Sequence, residues 1–178
     1  MSFPGYSAPS AFVVDAGVIL VGSTVLGTSR GGIAFDPGIE YRHVEFDGRA
    51  TEIAGLHRIL EYKSTLKCKL LDLTDAAIGR YFPGSTSDNS ANNLFTMKAA
   101  RTFLVTGDYL TNVKFVGQQS DGTAETLIIT FARALVESAT FQTTDRDEGL
   151  IEVTFRAVLD VGETNMGKCP FTWTKAAS

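Results

Sequence analysis

The sequence predicts a mainly β protein: an antiparallel β-sandwich with one short flanking α-helix and long loops. Three observations carry that prediction. Several segments alternate apolar and polar residues with a period of two, which puts one strand face in a core and the other in solvent. Gly, Pro and Asp-Gly turn signals recur between those segments. One stretch alone, Thr74 to Phe82, combines a cap with an apolar side at helical spacing. Two sheets with one apolar face each are stable when those faces meet.

Taken in order, the chain opens on an extended arm at about residues 1–16, whose Pro4, Gly5 and Pro9 resist regular structure. Short β pieces are expected at Phe12 to Val14 and Val18 to Val21, and the small residues of Gly22 to Gly32 read as a loop. Ile33 to Phe35 and Ile39 to Phe46 read as extended, with Pro37-Gly38 turning the chain between them. Asp47-Gly48 opens a polar connection through Arg49, Thr51 and Glu52. A long strand then runs from His57 to Leu70. Leu60, Tyr62, Leu66, Cys68 and Leu70 share its apolar face; Glu61, Lys63, Thr65, Lys67 and Lys69 share the other.

The helix follows, with Thr74 as its cap, Asp75 at its positive end, and Ile78, Tyr81 and Phe82 on its apolar side. Pro83-Gly84 stops it, and Gly84 to Asn93 reads as a surface loop. Thr102 to Thr106 and Tyr109 to Val116 read as strands around Gly107-Asp108. In Glu125 to Glu137, Leu127, Ile129, Phe131 and Leu135 face one way, and Thr126, Thr130, Ala132 and Ala134 the other. In Leu150 to Val161, Ile151, Val153, Phe155, Ala157 and Leu159 face inward, against Glu152, Thr154, Arg156 and Asp160. A last strand covers Phe171 to Thr174.

The 178 residues suit a single domain with a real core. At 44% hydrophobic and 20% charged residues, the chain falls among globular rather than disordered proteins. A net charge of −4 argues against a sequence-wide grip on nucleic acid. Cys68 and Cys169 lie far apart, and Cys68 falls on an apolar strand face, so a small core hydrophobe is its expected role. His43 and His57 show no metal-ligand spacing, so no metal and no cofactor are expected. The apolar run Ala11 to Val21 is broken by Asp15 and too short to span a bilayer, and no positive n-region precedes it. Neither membrane insertion nor export is expected.

Catalytic patterns do not emerge. Gly22 to Gly32 lacks the G-K-[ST] ending of a phosphate loop and any GxGxxG spacing. No GxSxG elbow occurs, and the acidic turn Asp145, Asp147 and Glu148 lacks the order of a calcium loop. Lys63, Lys67 and Lys69 form a positive strand face, but no aromatic side chains accompany them for base stacking, and Glu61 dilutes the charge. An exposed face, or one meeting acidic residues of another subunit, is the expectation for them. An enzyme is not expected.

Two segments resemble the major tail tube proteins of long-tailed bacteriophages: FDGRATEIAGLHRILEYKSTLKCKLLDLTDAAIGRYFPG (Phe46 to Gly84) and GLIEVTFRAVLD (Gly149 to Asp160). The likeness lies in their order: an Asp-Gly turn, a Gly-led long strand, a capped helix ending at Pro-Gly, then an E-V-T-F-x-A strand. The resemblance implies a β-sandwich of the fold shared with contractile-tail and type VI secretion tubes. It also implies hexameric rings stacked into the hollow tube that conducts DNA into the host. The protein would be a virion component assembled in the host cytoplasm, meeting tape-measure and terminator proteins. Genomic DNA would pass without specific binding. On that reading Thr126, Thr130, Ala132, Glu152, Thr154 and Asp160 are the candidates to line the lumen, where each phosphate contact would slow sliding. Arg156 departs from this pattern. Asp47, Gly48, Arg49, Thr51 and Glu52, with the N-terminal arm, are candidates for ring stacking, and Lys63, Lys67 and Lys69 for a subunit contact.

Two other readings stand beside it. A monomeric β-sandwich binding module, for example for carbohydrate, would need aromatic side chains to stack on sugar rings, and Trp173 is the sole tryptophan. Another phage tail or decoration protein would share the β pattern.

Overall fold

A computed structural model describes residues 14–43, 57–71, 81, 85–88, 94–97, 103–119, 126–142, 149–160, 162–163 and 168–176. Alternation and turn chemistry give eleven strands among them: β1 (Val14–Val21), β2 (Thr24–Asp36), β3 (Ile39–His43), β4 (His57–Tyr62), β5 (Thr65–Leu70), β6 (Ser85–Asp88), β7 (Leu94–Met97), β8 (Leu110–Gln119), β9 (Thr126–Gln142), β10 (Leu150–Val158) and β11 (Phe171–Ala176). The protein is mainly β and antiparallel, as the alternation predicts. Seven strands join in one sheet in the order β10-β5-β2-β1-β8-β9-β11, and β10 pairs with β9 as well. Hydrogen-bonded neighbours therefore run in a circuit through β5, β2, β1, β8, β9 and β10. Outside the circuit, β11 hangs on β9 and leaves the sheet an uncovered edge among the described residues.

Two long strands turn the corners. The first part of β2 pairs with β1, and Ile33 to Asp36 pair with β5. Between them the register slips, and Gly32 sits at φ 90°, a conformation open to glycine and costly to other residues. In β9, Thr126 to Ala134 run along β8, while Arg133 to Gln142 run along β10. A second slip, between Thr154 and Phe155, leaves Glu137 as an extra residue. Bulges bend a strand and raise its twist, which lets one strand serve both layers of a sandwich.

The core lies between the halves of this curled sheet. Leu66, Cys68 and Leu70 of β5 meet Ile19, Leu26, Val113, Phe115, Ile129 and Phe131, with Val153, Phe155 and Ala157 of β10. From the far half of β2, Phe35 reaches across to Phe171 and Phe131, with ring centroids 5.0 and 6.1 Å away.

Several expectations are corrected. The long strand from His57 to Leu70 is two strands, β4 and β5, parted at Lys63-Ser64. Ser64 is buried; its hydroxyl donates to Pro37 O at 2.8 Å, and its carbonyl accepts from Ala157 N at 2.9 Å. Those bonds pull Ser64 into the sheet and direct β4 away from it, so Leu60 is 60% exposed rather than buried. Gly22 to Gly32, expected as a loop, is largely strand, because Gly22-Ser23 makes a tight turn (Gly22 φ 65°) and folds β2 back on β1. Val14 to Val21 is one continuous strand held along β8. Within Gly84 to Asn93, Ser85 to Asp88 form β6 and pair with β7. Phe103 to Val105 form no strand; a 3-10 turn follows at Thr106 to Asp108, fixed by the Asp108 carboxylate accepting from Val105 N at 2.8 Å.

On β9, Ala134 is buried although its expected face was the outer one. The inward side switches between Phe131 and Ala134, alongside Asn112 of β8 at φ 54°. Leu159 lies beyond the end of β10 and is 41% exposed. The expected helix falls outside the described residues except for Tyr81, which is helical and buried. The arm up to residue 13 also lies outside them.

Candidate assembly surface

Residues directly opposite in a ladder point to the same side of a sheet, so register alone assembles the outer face of β5, β10 and the second half of β9. Lys69 lies opposite Glu152, which lies opposite Thr140. Lys67 lies opposite Thr154, which lies opposite Ser138. Thr65, Arg156 and Leu135 make the third row. The lysine face and two of the lining candidates are therefore one surface, where the sequence reading separates them. The separation fails because β5 and β10, 80 residues or more apart in sequence, are neighbours in the sheet.

The charges of this face answer one another. Lys69 Nζ is 3.8 Å from Glu152 Oε2, and Arg156 stands between Glu137 at 3.6 Å and Glu61 at 3.9 Å. Such exposed pairs contribute roughly 0–1 kcal/mol each, so their effect is on local potential more than on stability. Thr154 is only 8% exposed, tucked into this surface. The remaining lining candidates lie elsewhere. Thr130 sits between Lys114 of β8 and Thr172 of β11, and Thr126 between Gln118 and Ala176. Ala132 is exposed. Beyond β10, Asp160 accepts from Arg133, whose Nη2 is 3.0 Å away. The six candidates thus divide between two parts of the curled sheet.

Beside this face, β3 and β4 pair with each other as a two-stranded ribbon. Its root is firm: Lys63 N donates to Gly38 O at 2.7 Å, and Gly38 N donates to the Asp36 carboxylate at 2.9 Å. Lys63 turns toward Glu40 at 2.6 Å and Glu61 at 3.4 Å, and the hydrogen bond its ammonium donates to Glu40 is the main cause that raises its pKa. Tyr41, Ile59 and Leu60 stand exposed on the ribbon. Ile59, Leu60 and Tyr62 form one wall of an open groove of about 520 Å³, with Tyr109, Leu135 and Leu159 among its other walls. The sequence reading missed this groove. Its signal was the adjacent pair Ile59-Leu60, which breaks the period of two just where β4 leaves the sheet.

Asp47, Gly48, Arg49, Thr51 and Glu52 lie outside the described residues. Among the described residues no group of three or more His, Cys, Asp or Glu is placed to hold a metal ion, and no helix is long and apolar enough to cross a membrane. No protein-family model matches the chain, and no curated protein matches it.

Proposed function

We propose that this chain is a structural subunit of a phage tail tube, forming hexameric rings that stack into a hollow tube for DNA. The observation that carries the reading is the ordered pair of sequence segments, Phe46 to Gly84 and Gly149 to Asp160, on an antiparallel β framework. Two surface features support it. The edge of β11 is uncovered among the described residues, and strand edges of this kind invite pairing with another chain. The ribbon holds Tyr41, Ile59 and Leu60 in solvent, where a neighbouring subunit would cover them. In this reading genomic DNA passes without specific binding, and tape-measure and terminator proteins are the partners in the virion.

Of the two surfaces, the one around Thr130 suits the lumen of this reading better. A face that mixes Lys69, Glu152 and Arg156 balances its own charges, whereas Thr130, with Thr172 beside it, offers hydroxyls alongside Lys114. Negative-stain microscopy of the purified chain at high concentration tests the proposal: stacked rings or hollow tubes are expected. A particle that stays monomeric, even with the other tail proteins present, would count against it.

A monomeric binding module is the second reading, and the groove beside the ribbon favours it. Trp173 is 60% exposed but takes no part in lining that groove, whose aromatic side chains are Tyr62 and Tyr109.

A further inference from the structure

Two rungs of the ribbon set like charges directly opposite each other: Glu40 faces Glu61, and Arg42 faces Arg58. Opposed residues share one side of a ladder, with Cβ atoms roughly 5 Å apart, so each rung carries a doubled charge that repels itself. The acidic rung is relieved from within the chain. Lys63 Nζ lies 2.6 Å from Glu40 and 3.4 Å from Glu61, and Arg156 approaches Glu61 at 3.9 Å. The basic rung has no such relief. Arg42 and Arg58 are both exposed, and neither has an ion-pair partner among the described residues. The rungs on either side pair Tyr41 with Ile59 and His43 with His57. Alternation turns those four side chains to the other face of the ribbon, so the two guanidiniums stand beside each other in solvent.

Their chemistry selects the ligand. A guanidinium presents parallel N–H donors in a rigid fork, and a single fork already engages both oxygens of a carboxylate. Two forks side by side suit an anion with a third oxygen and a second negative charge. A phosphate monoester has three terminal oxygens and carries a charge of about −2 near neutral pH, which balances the two arginines. We propose that Arg42 and Arg58 form a binding site for the dianionic phosphate group of a phosphate monoester. Lys63 keeps that site open, because it holds the carboxylates of Glu40 and Glu61 that would otherwise compete for the arginines. The site needs only the ribbon and stands apart from the tube reading.

Nuclear magnetic resonance of the full chain, labelled with ¹⁵N in arginine, tests the site during titration with phenyl phosphate at an ionic strength of about 20 mM. The Nε–H signals of Arg42 and Arg58 are expected to shift together, with one dissociation constant below about 2 mM. Those of Arg133 and Arg156, which already face carboxylates, stay in place. Arg42→Ala and Arg58→Ala each weaken binding at least fivefold. Both change an exposed side chain, so the fold should survive them. Arg42→Lys keeps the charge but loses the fork, and weakens binding at least threefold. Lys67→Ala removes an exposed charge elsewhere and leaves binding unchanged. An oligonucleotide with and without a 5′-phosphate identifies the source: a shift with the phosphorylated form alone assigns the site to a nucleic-acid end, and a shift with neither form assigns it to a small free phosphate ester. Dimethyl phosphate or acetate binding as tightly as phenyl phosphate overturns the proposal. So does weaker binding than stated, or equal loss in the Lys67 and arginine variants.

Discussion

Cys68 shows how burial sets chemistry at a single residue. Enclosed by the core with its thiol near Val153 O, it is held protonated: desolvation, with a smaller contribution from Glu152, pushes its pKa up to about 12 from a usual 9.0. The unfolded chain releases this proton at lower pH than the folded chain does. The stability that Cys68 contributes is therefore complete below about pH 9 and is lost as pH rises toward 12. Thermal melts of the parent and of Cys68→Ala, compared near neutrality and at about pH 10.5, should show the parent losing more stability on the alkaline side. Thiol reagents at about pH 8 should modify Cys169, which is partly exposed, well before Cys68. The buried role of Cys68 was legible in the sequence, since it shares parity with Leu66 and Leu70. The meeting of His43 and His57 was not, because it depends on a ladder register between segments that lie 13 residues apart in sequence.

At the scale of elements, what was legible depended on whether neighbours in sequence were also neighbours in space. The alternation of β5 and β10 stood out because both faces of each strand have uniform surroundings. The same alternation misled at β4, whose residues keep the parity of β5 after the strand has left the sheet. Gly22 to Gly32 misled for the opposite reason: small residues suggest a loop, but pairing with β1 and β5 overrides weak strand propensity. Gly38 marks the junction of sheet and ribbon. It sits at φ 52°, and a Cβ there would come within 2.2 Å of Lys63 O. Gly38→Ala should therefore destabilise the protein by at least about 1 kcal/mol, read from denaturant midpoints, because both conformation and space oppose the methyl group. Amide exchange in β3 and β4 should rise more than in β5 or β10, since the ribbon depends on that turn.

For the whole molecule, the divided lining candidates give the tube proposal a sharp test. Thr130→Arg places its charge on a half-exposed position, so tubes should form with reduced infectivity, measured by plaque assay on assembled virions. Thr154→Arg should fail earlier, at folding, because Thr154 is 8% exposed and has no room for a long cation. Normal infectivity of the Thr130 variant would remove that face from the lumen. The circuit of pairings carries a different consequence, one of timing. As the chain leaves the ribosome, β5 is complete long before β10, its second neighbour, has been made. Through that interval β5 shows an open edge, and its outward residues Lys67 and Lys69 are the kind of charge that keeps an unpaired strand from recruiting another chain. Replacing both with threonine should leave the finished protein nearly as stable, yet lower its refolding yield at rising concentration, with light scattering reporting the loss. The lysines would then matter most for a molecule that is still incomplete.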